Sequence, residues 1–249
     1  MKRKGNTVLI TGGGSGIGLA LAAIFLNEDN EVIICGRTKK TLDDAKKAFP
    51  NLHTLVADVS TIAGRETLNA TIVTHFPKLN VLVNNAGIYS MTDIMDPQYL
   101  QVLETELNVN LIAPIALVRQ LMPVLETQSE ATIINVTTGY VFIPSAKASA
   151  YSASKVALRA FTQSLRFKKR NTNIRVVEVV PPAVDTPMNK GKNASVIDVN
   201  QFANKVFEQV IKGEEEILIG VSKLGKLLSR VAPKFSFNKM NNDEAMQRV

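Results

Sequence analysis

Tryptophan is absent from this 249-residue chain, cysteine occurs once and histidine twice. A lone cysteine closes no internal disulfide, and Cys35 lies in an apolar run, so it reads as buried packing. His53 and His75 have no ligand-like spacing to each other or to a carboxylate cluster, so no metal site is assigned. Aromatics make up only 6% of the chain, which argues against a base-stacking platform. Long hydrophobic runs are missing too. After Met1-Lys2-Arg3-Lys4 the apolar stretch is only residues 8–10 before glycines intervene, so neither a leader peptide nor a spanning helix is expected, and the cytoplasm is the expected location.

What is present fits a soluble globular protein. Hydrophobic residues reach 45% and charged residues 20%, enough for one large α/β domain or two small ones with a substantial core. Net charge is +7 with a pI near 9.5, yet the cations are dispersed apart from Arg166-Phe167-Lys168-Lys169-Arg170 and a looser C-terminal set. No nucleic-acid motif accompanies them, so no nucleic-acid partner is expected; a phosphate-bearing cofactor or substrate uses some of this charge.

The chain opens with the β-branched run 7–11, then Gly12-Gly13-Gly14-Ser15-Gly16-Ile17-Gly18, then Leu19, Ala22, Ala23 and Leu26 at helical spacing. Strand, glycine turn and helix in that order deliver a helix N-terminus to a phosphate without side chains in the way. A second strand, residues 31–35, ends at Gly36-Arg37 with Thr38, Lys39 and Lys40 behind it. A carboxylate there would bind a ribose 2′-hydroxyl and repel a 2′-phosphate, whereas a guanidinium pairs with the phosphate. This favours NADP over NAD, the other reading being a solvent-facing Arg37. A helix over 42–49 and a strand over 52–57 lead to Asp58 and Val59; Asp58 suits the adenine amino group or, alternatively, a helix cap shared with Ser60. A helix over 63–76 precedes the strand 80–83 and Asn84-Asn85-Ala86-Gly87. This cadence predicts a single doubly wound parallel sheet, a Rossmann fold with helices on both faces.

Residues 97–125 read as one long helical tract interrupted by Pro114 and Pro123, with Asn110 breaking its apolar pattern. A buried amide costs free energy unless paired, so Asn110 is either structurally satisfied or chemically used. Strands over 132–136 and 174–180 are followed by Thr137-Thr138-Gly139 and by the break at residues 181–187. Between them lies Tyr151-Ser152-Ala153-Ser154-Lys155. Its helical period puts phenol and ammonium on one face, where the positive charge brings the phenolate closer to use.

Thr11-Gly12-x-x-x-Gly16-x-Gly18, Asn84-Asn85-Ala86-Gly87, Asn110, Tyr151-x-x-x-Lys155 and the turn at residues 181–186 resemble, in this order, the short-chain dehydrogenase/reductase family in its compact form. The resemblance covers roughly residues 5–220, and the pattern around Thr137-Thr138 is similar to that of the DltE-like reductases. It implies an NADP(H)-dependent oxidoreductase acting on a carbonyl or secondary alcohol. Tyr151 is then the acid–base residue, Lys155 lowers its pKa and holds the nicotinamide ribose, Asn110 positions a water, and Thr138 holds the substrate oxygen. Gly12, Gly14, Ser15, Gly16, Ile17, Gly18, Arg37, Asp58, Val59, Asn84, Ala86, Gly87, Tyr151, Lys155, Pro181, Val184 and Thr186 form the implied cofactor set.

Two positions depart from the family. Thr138 stands where serine is usual, keeping the hydroxyl but adding a methyl that restricts χ1. Pro182 stands where glycine is usual, fixing φ and removing an N–H. They motivate an alternative, a cofactor-binding redox sensor or scaffold without turnover. All 249 residues are expected in one domain. Residues 187–197 would be a substrate loop, with Lys190 and Lys192 suited to an anionic group, and 221–249 a C-terminal extension. Apolar excess on helices near 100–121 and 150–167 points by family likeness to a homodimer or homotetramer. Residues 221–237 read as one amphipathic helix, on a subunit or on an anionic membrane, with the subunit or plain core cover preferred, and the end after Phe237 as frayed.

Overall fold

The computed structural model describes residues 1–189 and 196–242. The chain runs β1 (Thr7–Thr11), α1 (Gly16–Asn27), β2 (Glu31–Gly36), α2 (Lys39–Ala48), β3 (His53–Val56), α3 (Ile62–His75), β4 (Leu79–Asn84), α4 (Tyr99–Leu107), α5 (Ala113–Glu126), β5 (Ala131–Val136), α6 (Ser149–Lys169), β6 (Ile174–Val180), α7 (Val199–Ile211), β7 (Glu216–Leu218), α8 (Val221–Val231) and α9 (Pro233–Asn241). The seven strands are all parallel, in the order β3-β2-β1-β4-β5-β6-β7.

A parallel sheet has both faces covered, so its strands are apolar on both sides. Alternation then sorts the side chains. Val8, Ile10, Val32 and Ile34 pack under α1, α2 and α7, where Phe25 meets Phe207 edge-on at 5.2 Å. Leu9, Ile33 and Cys35 point the other way, into the layer that includes Leu68 and Ile72 of α3, Leu117 and Leu121 of α5 and Leu165 of α6. Cys35 is fully buried, and that burial pushes its thiol up to about 12, out of reach of thiolate chemistry.

Three element readings change. Helix α2 starts at Lys39 rather than Leu42, its first turn extended by the Lys39–Asp43 and Lys40–Asp44 pairs. The tract over 97–125 is divided not by its prolines but by a π turn, Asn108–Ile112, between α4 and α5. Pro114 sits in the first turn of α5, where its missing N–H is no loss, and Pro123 is accommodated inside the helix. Residues 99–126 are apolar and long enough to cross a membrane by length and composition alone, but Leu117, Leu121 and Leu125 are core residues of the sheet's cover. Residues 221–237 form two helices, because Pro233 opens α9. Beyond Phe237, α9 continues to Asn241, whose side chain accepts from Ala146 N at 2.7 Å and donates to Pro144 O at 3.0 Å. Most of the expected substrate loop, residues 190–195 with Lys190 and Lys192, and the segment 243–249 lie outside the described residues.

Helix α6 is tied to β6 and β7 by charge. Glu178 on β6 is fully buried; Arg159 reaches it at 2.6 Å and Glu216 on β7 at 2.7 Å, and Thr137 donates to Glu178 at 2.9 Å. Removing one partner strands a buried charge. Arg159→Met should therefore lower unfolding free energy in urea by about 3–5 kcal/mol, and adding Glu178→Gln should recover much of it. A loss below ~1 kcal/mol would show that the pair is not holding α6 to the sheet.

Candidate active site

The chain leaves β3 and returns beside β1 as β4, so the strand order reverses between β1 and β4 and a crevice opens at their carboxyl ends. The glycine turn lies there. Gly12 has φ +64°, and a Cβ on it would sit 2.9 Å from Ala86 Cα. Thr11 Oγ1 accepts from the backbone N–H groups of Asn85 and Ala86, each at 3.0 Å, while Asn85 Nδ2 donates to the carbonyls of Thr11 and Gly12. This stitching sets the turn's height against β4. Ser15 precedes α1 in an extended conformation without a side-chain cap, so the first N–H groups of the helix keep their capacity for an anion. The fit to a pyrophosphate is therefore good. Around the turn, Gly14 lies against Thr41, Gly16 against Thr186, and Gly18 against the Gly12 carbonyl, while Ile17 packs on the core.

The remaining members of the implied cofactor set divide into those facing the crevice and those fastened elsewhere. Arg37, just past β2, is exposed and makes no ion pair among the described residues, unlike its neighbours Lys39 and Lys40. Asp58 Oδ1 accepts from Ser60 N at 2.9 Å and Ser60 Oγ at 2.6 Å, a local turn rather than the helix cap, which is Thr61. Val59 is buried, and its carbonyl takes Arg65 at 2.7 Å. Asn84 gives its amide nitrogen to the sheet: it donates to Asn135 Oδ1 at 2.8 Å, and Asn135 in turn donates to Thr162 on α6, while Asn84 Oδ1 has no partner among the described residues. Its neighbour Asn85 turns to the glycine loop instead. Pro181 O accepts from Gly139 N at 3.1 Å; the Val184 carbonyl holds Thr186 and Asn189, and the backbone of 183–185 pairs with Ile197.

Asn110, Thr138, Tyr151 and Lys155 gather at the carboxyl end of β5. Asn110 is fully buried in the π turn; it donates to Ile88 O at 3.0 Å and Ser154 Oγ at 3.1 Å and accepts from Ile88 N at 2.9 Å. That amide is satisfied by protein groups. Gly87 sits against both: a Cβ there would lie 3.2 Å from Asn110 Oδ1 and 3.5 Å from Lys155 Nζ. Lys155, only 3% exposed, donates to Val136 O at 3.0 Å, and burial pulls its ammonium down to about 8 against the opposing pull of Glu106.

In the protein without cofactor, burial is the dominant influence on Tyr151. Burial drives the phenol well above its ordinary value; a hydrogen bond with Thr138 draws it back, while Tyr140 and Glu106 push it further up. Desolvation wins because the ring is boxed in by Tyr89 and Tyr140, at 5.0 and 6.2 Å between centroids. The phenol therefore keeps its proton at neutral pH.

Four neighbours were not singled out in the sequence. Ser154 holds Asn110 in place, and Tyr89 and Tyr140 wall the phenol. Glu106 is fully buried one turn before Asn110; it accepts from Ser90 N at 2.6 Å, its second oxygen has no partner among the described residues, and burial raises its carboxyl above the usual range. An acid four residues before an asparagine in an apolar tract was the available signal.

The departures also have their places. Thr138 opens a short turn, Gly139–Val141, and Pro182 Cγ lies near Gly220, which has φ +60° and begins α8. A cavity of about 200 Å³ lies between residues 142–144 and helices α8 and α9, lined by Phe142, Ile143, Pro144, Ser229, Pro233 and Phe237.

Residues 6–197 match the family model described as short chain dehydrogenase. The chain is 41% identical over 224 residues, covering 87% of this chain and 89% of the relative, to an uncharacterized oxidoreductase, DltE, of Bacillus subtilis (strain 168). Among solved structures it is similar to a short chain dehydrogenase from Burkholderia cenocepacia J2315 in complex with NADP (TM-score 0.84, 22% identity, 94% of this chain and 97% of that one). It is also similar to a short chain dehydrogenase/reductase from Burkholderia phymatum in complex with NAD (TM-score 0.82, 20% identity, 100% and 97%).

The lowered Lys155 fixes the sign of one pH effect. Between about 8 and the ordinary value of 10.5 the unfolded chain binds this proton and the folded one does not, so stability gained from this group rises with pH across that window. In urea unfolding of the unliganded protein, the difference between wild type and Lys155→Met should shift in favour of wild type by on the order of 3 kcal/mol from pH 8 to pH 10.5. A flat difference would mean that Lys155 is charged when folded.

Proposed function

Since the chain belongs to the short-chain dehydrogenase/reductase family, we propose that this oxidoreductase uses NADP(H) to interconvert a carbonyl and a secondary alcohol on a small molecule. The observation that carries this reading is the convergence of a protonated phenol, a hydroxyl and a buried amine at one sheet edge. Bound NADPH would supply the hydride. Thr138 holds the substrate oxygen, and Tyr151 passes its phenolic proton to that oxygen as negative charge develops there. Lys155 would hold the nicotinamide ribose and re-protonate the phenolate, taking its own replacement proton from solvent, and Asn110 keeps the Ile88 loop and α6 in register. A phenol that holds its proton at neutral pH suits the reductive direction. The alternative, a binding module without turnover, has no use for a buried lysine four residues from a buried phenol.

Tyr151→Phe keeps the ring and removes the proton. NADPH oxidation over a panel of ketones, aldehydes and quinones should fall by about 100-fold or more in the variant. Equal rates would remove Tyr151 from the chemistry.

Arg37 is the cation at the end of β2 that no carboxylate occupies among the described residues, which supports a 2′-phosphate as its partner. The two similar solved structures bind NADP in one case and NAD in the other, so the preference rests on this residue. Arg37→Ala should weaken NADPH by about 1.5–3 kcal/mol in fluorescence titration and leave NADH nearly unchanged. Equal loss for both would contradict it. Exposed Leu100, Ile112, Val156 and Phe167 on the tract from α4 to α6 support the reading of these helices as a contact between copies of the chain.

A further inference from the structure

We propose that the C-terminal helices form a docking surface for an anionic lipid bilayer. Helix α8 turns 100° per residue, and three stripes result. Ser222, Gly225 and Ser229 share one side, and Ser222 is 4% exposed against the body, beside the Gly139 turn. Lys223, Lys226 and Arg230 form the next stripe, and Val221, Leu224, Leu227 and Val231 fill an arc of about 120° beyond it. The small residues face the protein; of the five large apolar residues in the arc four face outward and Leu228 is half-buried. Those four side chains are 55–70% exposed, the reverse of a helix that covers a core. On α9 Ser236 is buried, and Phe235 and Phe237 on either side of it are 60% and 45% exposed.

Charge identifies the occupant. Residues 221–242 carry Lys223, Lys226, Arg230, Lys234 and Lys239 and no acidic residue. Lys226 is engaged by Glu216 and Lys239 lies over the Phe235 ring, while Lys223, Arg230 and Lys234 make no ion pair among the described residues. An apolar stripe edged by cations matches acyl chains below anionic headgroups. A second copy of this chain is a poorer match, since a two-fold contact of the face with itself would juxtapose the same cations with no carboxylate of residues 221–242 between them.

The full chain should co-sediment with phosphatidylcholine vesicles containing about one third phosphatidylserine, lose that binding as salt rises, and leave pure phosphatidylcholine unbound. Both Leu224→Asp/Leu227→Asp and Lys223→Glu/Arg230→Glu change exposed positions, so each should keep the wild-type melting temperature while weakening vesicle binding at least about tenfold. The proposal is overturned if wild type binds neither vesicle, if both variants bind as wild type does, or if Leu224→Asp/Leu227→Asp halves the mass in light scattering without changing vesicle binding. This readout needs neither cofactor nor turnover.

Discussion

The site depends on a lysine that the fold takes out of water. Lys155 has the Val136 carbonyl at 3.0 Å and Glu106 in its electrostatic surroundings, and burial makes its charge conditional. Everything around it works to keep that amine in one place. Asn110 secures the loop at Ile88 and the Ser154 hydroxyl on the same helix, and Gly87 leaves the space that a side chain would take from both Asn110 and Lys155. The same burial keeps Tyr151 protonated, so one desolvated pocket sets opposite shifts on an acid and a base four residues apart. For proton donation to a developing alkoxide this arrangement is the useful one.

The sheet explains why these groups meet. Its reversal of strand order puts the glycine turn after β1 next to the Asn85-Ala86-Gly87 segment after β4, and β5 then brings Thr138 alongside. Thr11 and Asn85 lock the first junction; Arg159, Glu178 and Glu216 lock α6 at the other. The first is a polar clamp at strand ends, and the second lies within the sheet beneath α6.

Much of this was legible in the sequence, because strand alternation and the order of glycine turn, amide pair, tyrosine and lysine survive without coordinates. Other features were not. Asn84 and Asn85 look equivalent, yet adjacent residues on a strand face opposite sides, so one ties β4 to β5 and the other ties down the phosphate turn. The π turn at Asn108–Ile112 was hidden because Leu107, Leu111 and Ile112 fit an uninterrupted helix equally well. The direction of the Tyr151 shift needed Tyr89, Tyr140 and Glu106, which are distant in sequence or silent in pattern. In α8 the amphipathic period was plain, but which stripe meets the body was fixed only by Ser222 lying inward.

The central claim is that burial, rather than the neighbouring amine, governs the phenol in the unliganded protein. It is tested most directly by ultraviolet difference titration of tyrosinate, wild type minus Tyr151→Phe, with both proteins free of cofactor. The account predicts no ionisation of Tyr151 as pH rises through the ordinary tyrosine value near 10. A difference signal with its midpoint below that value would contradict it.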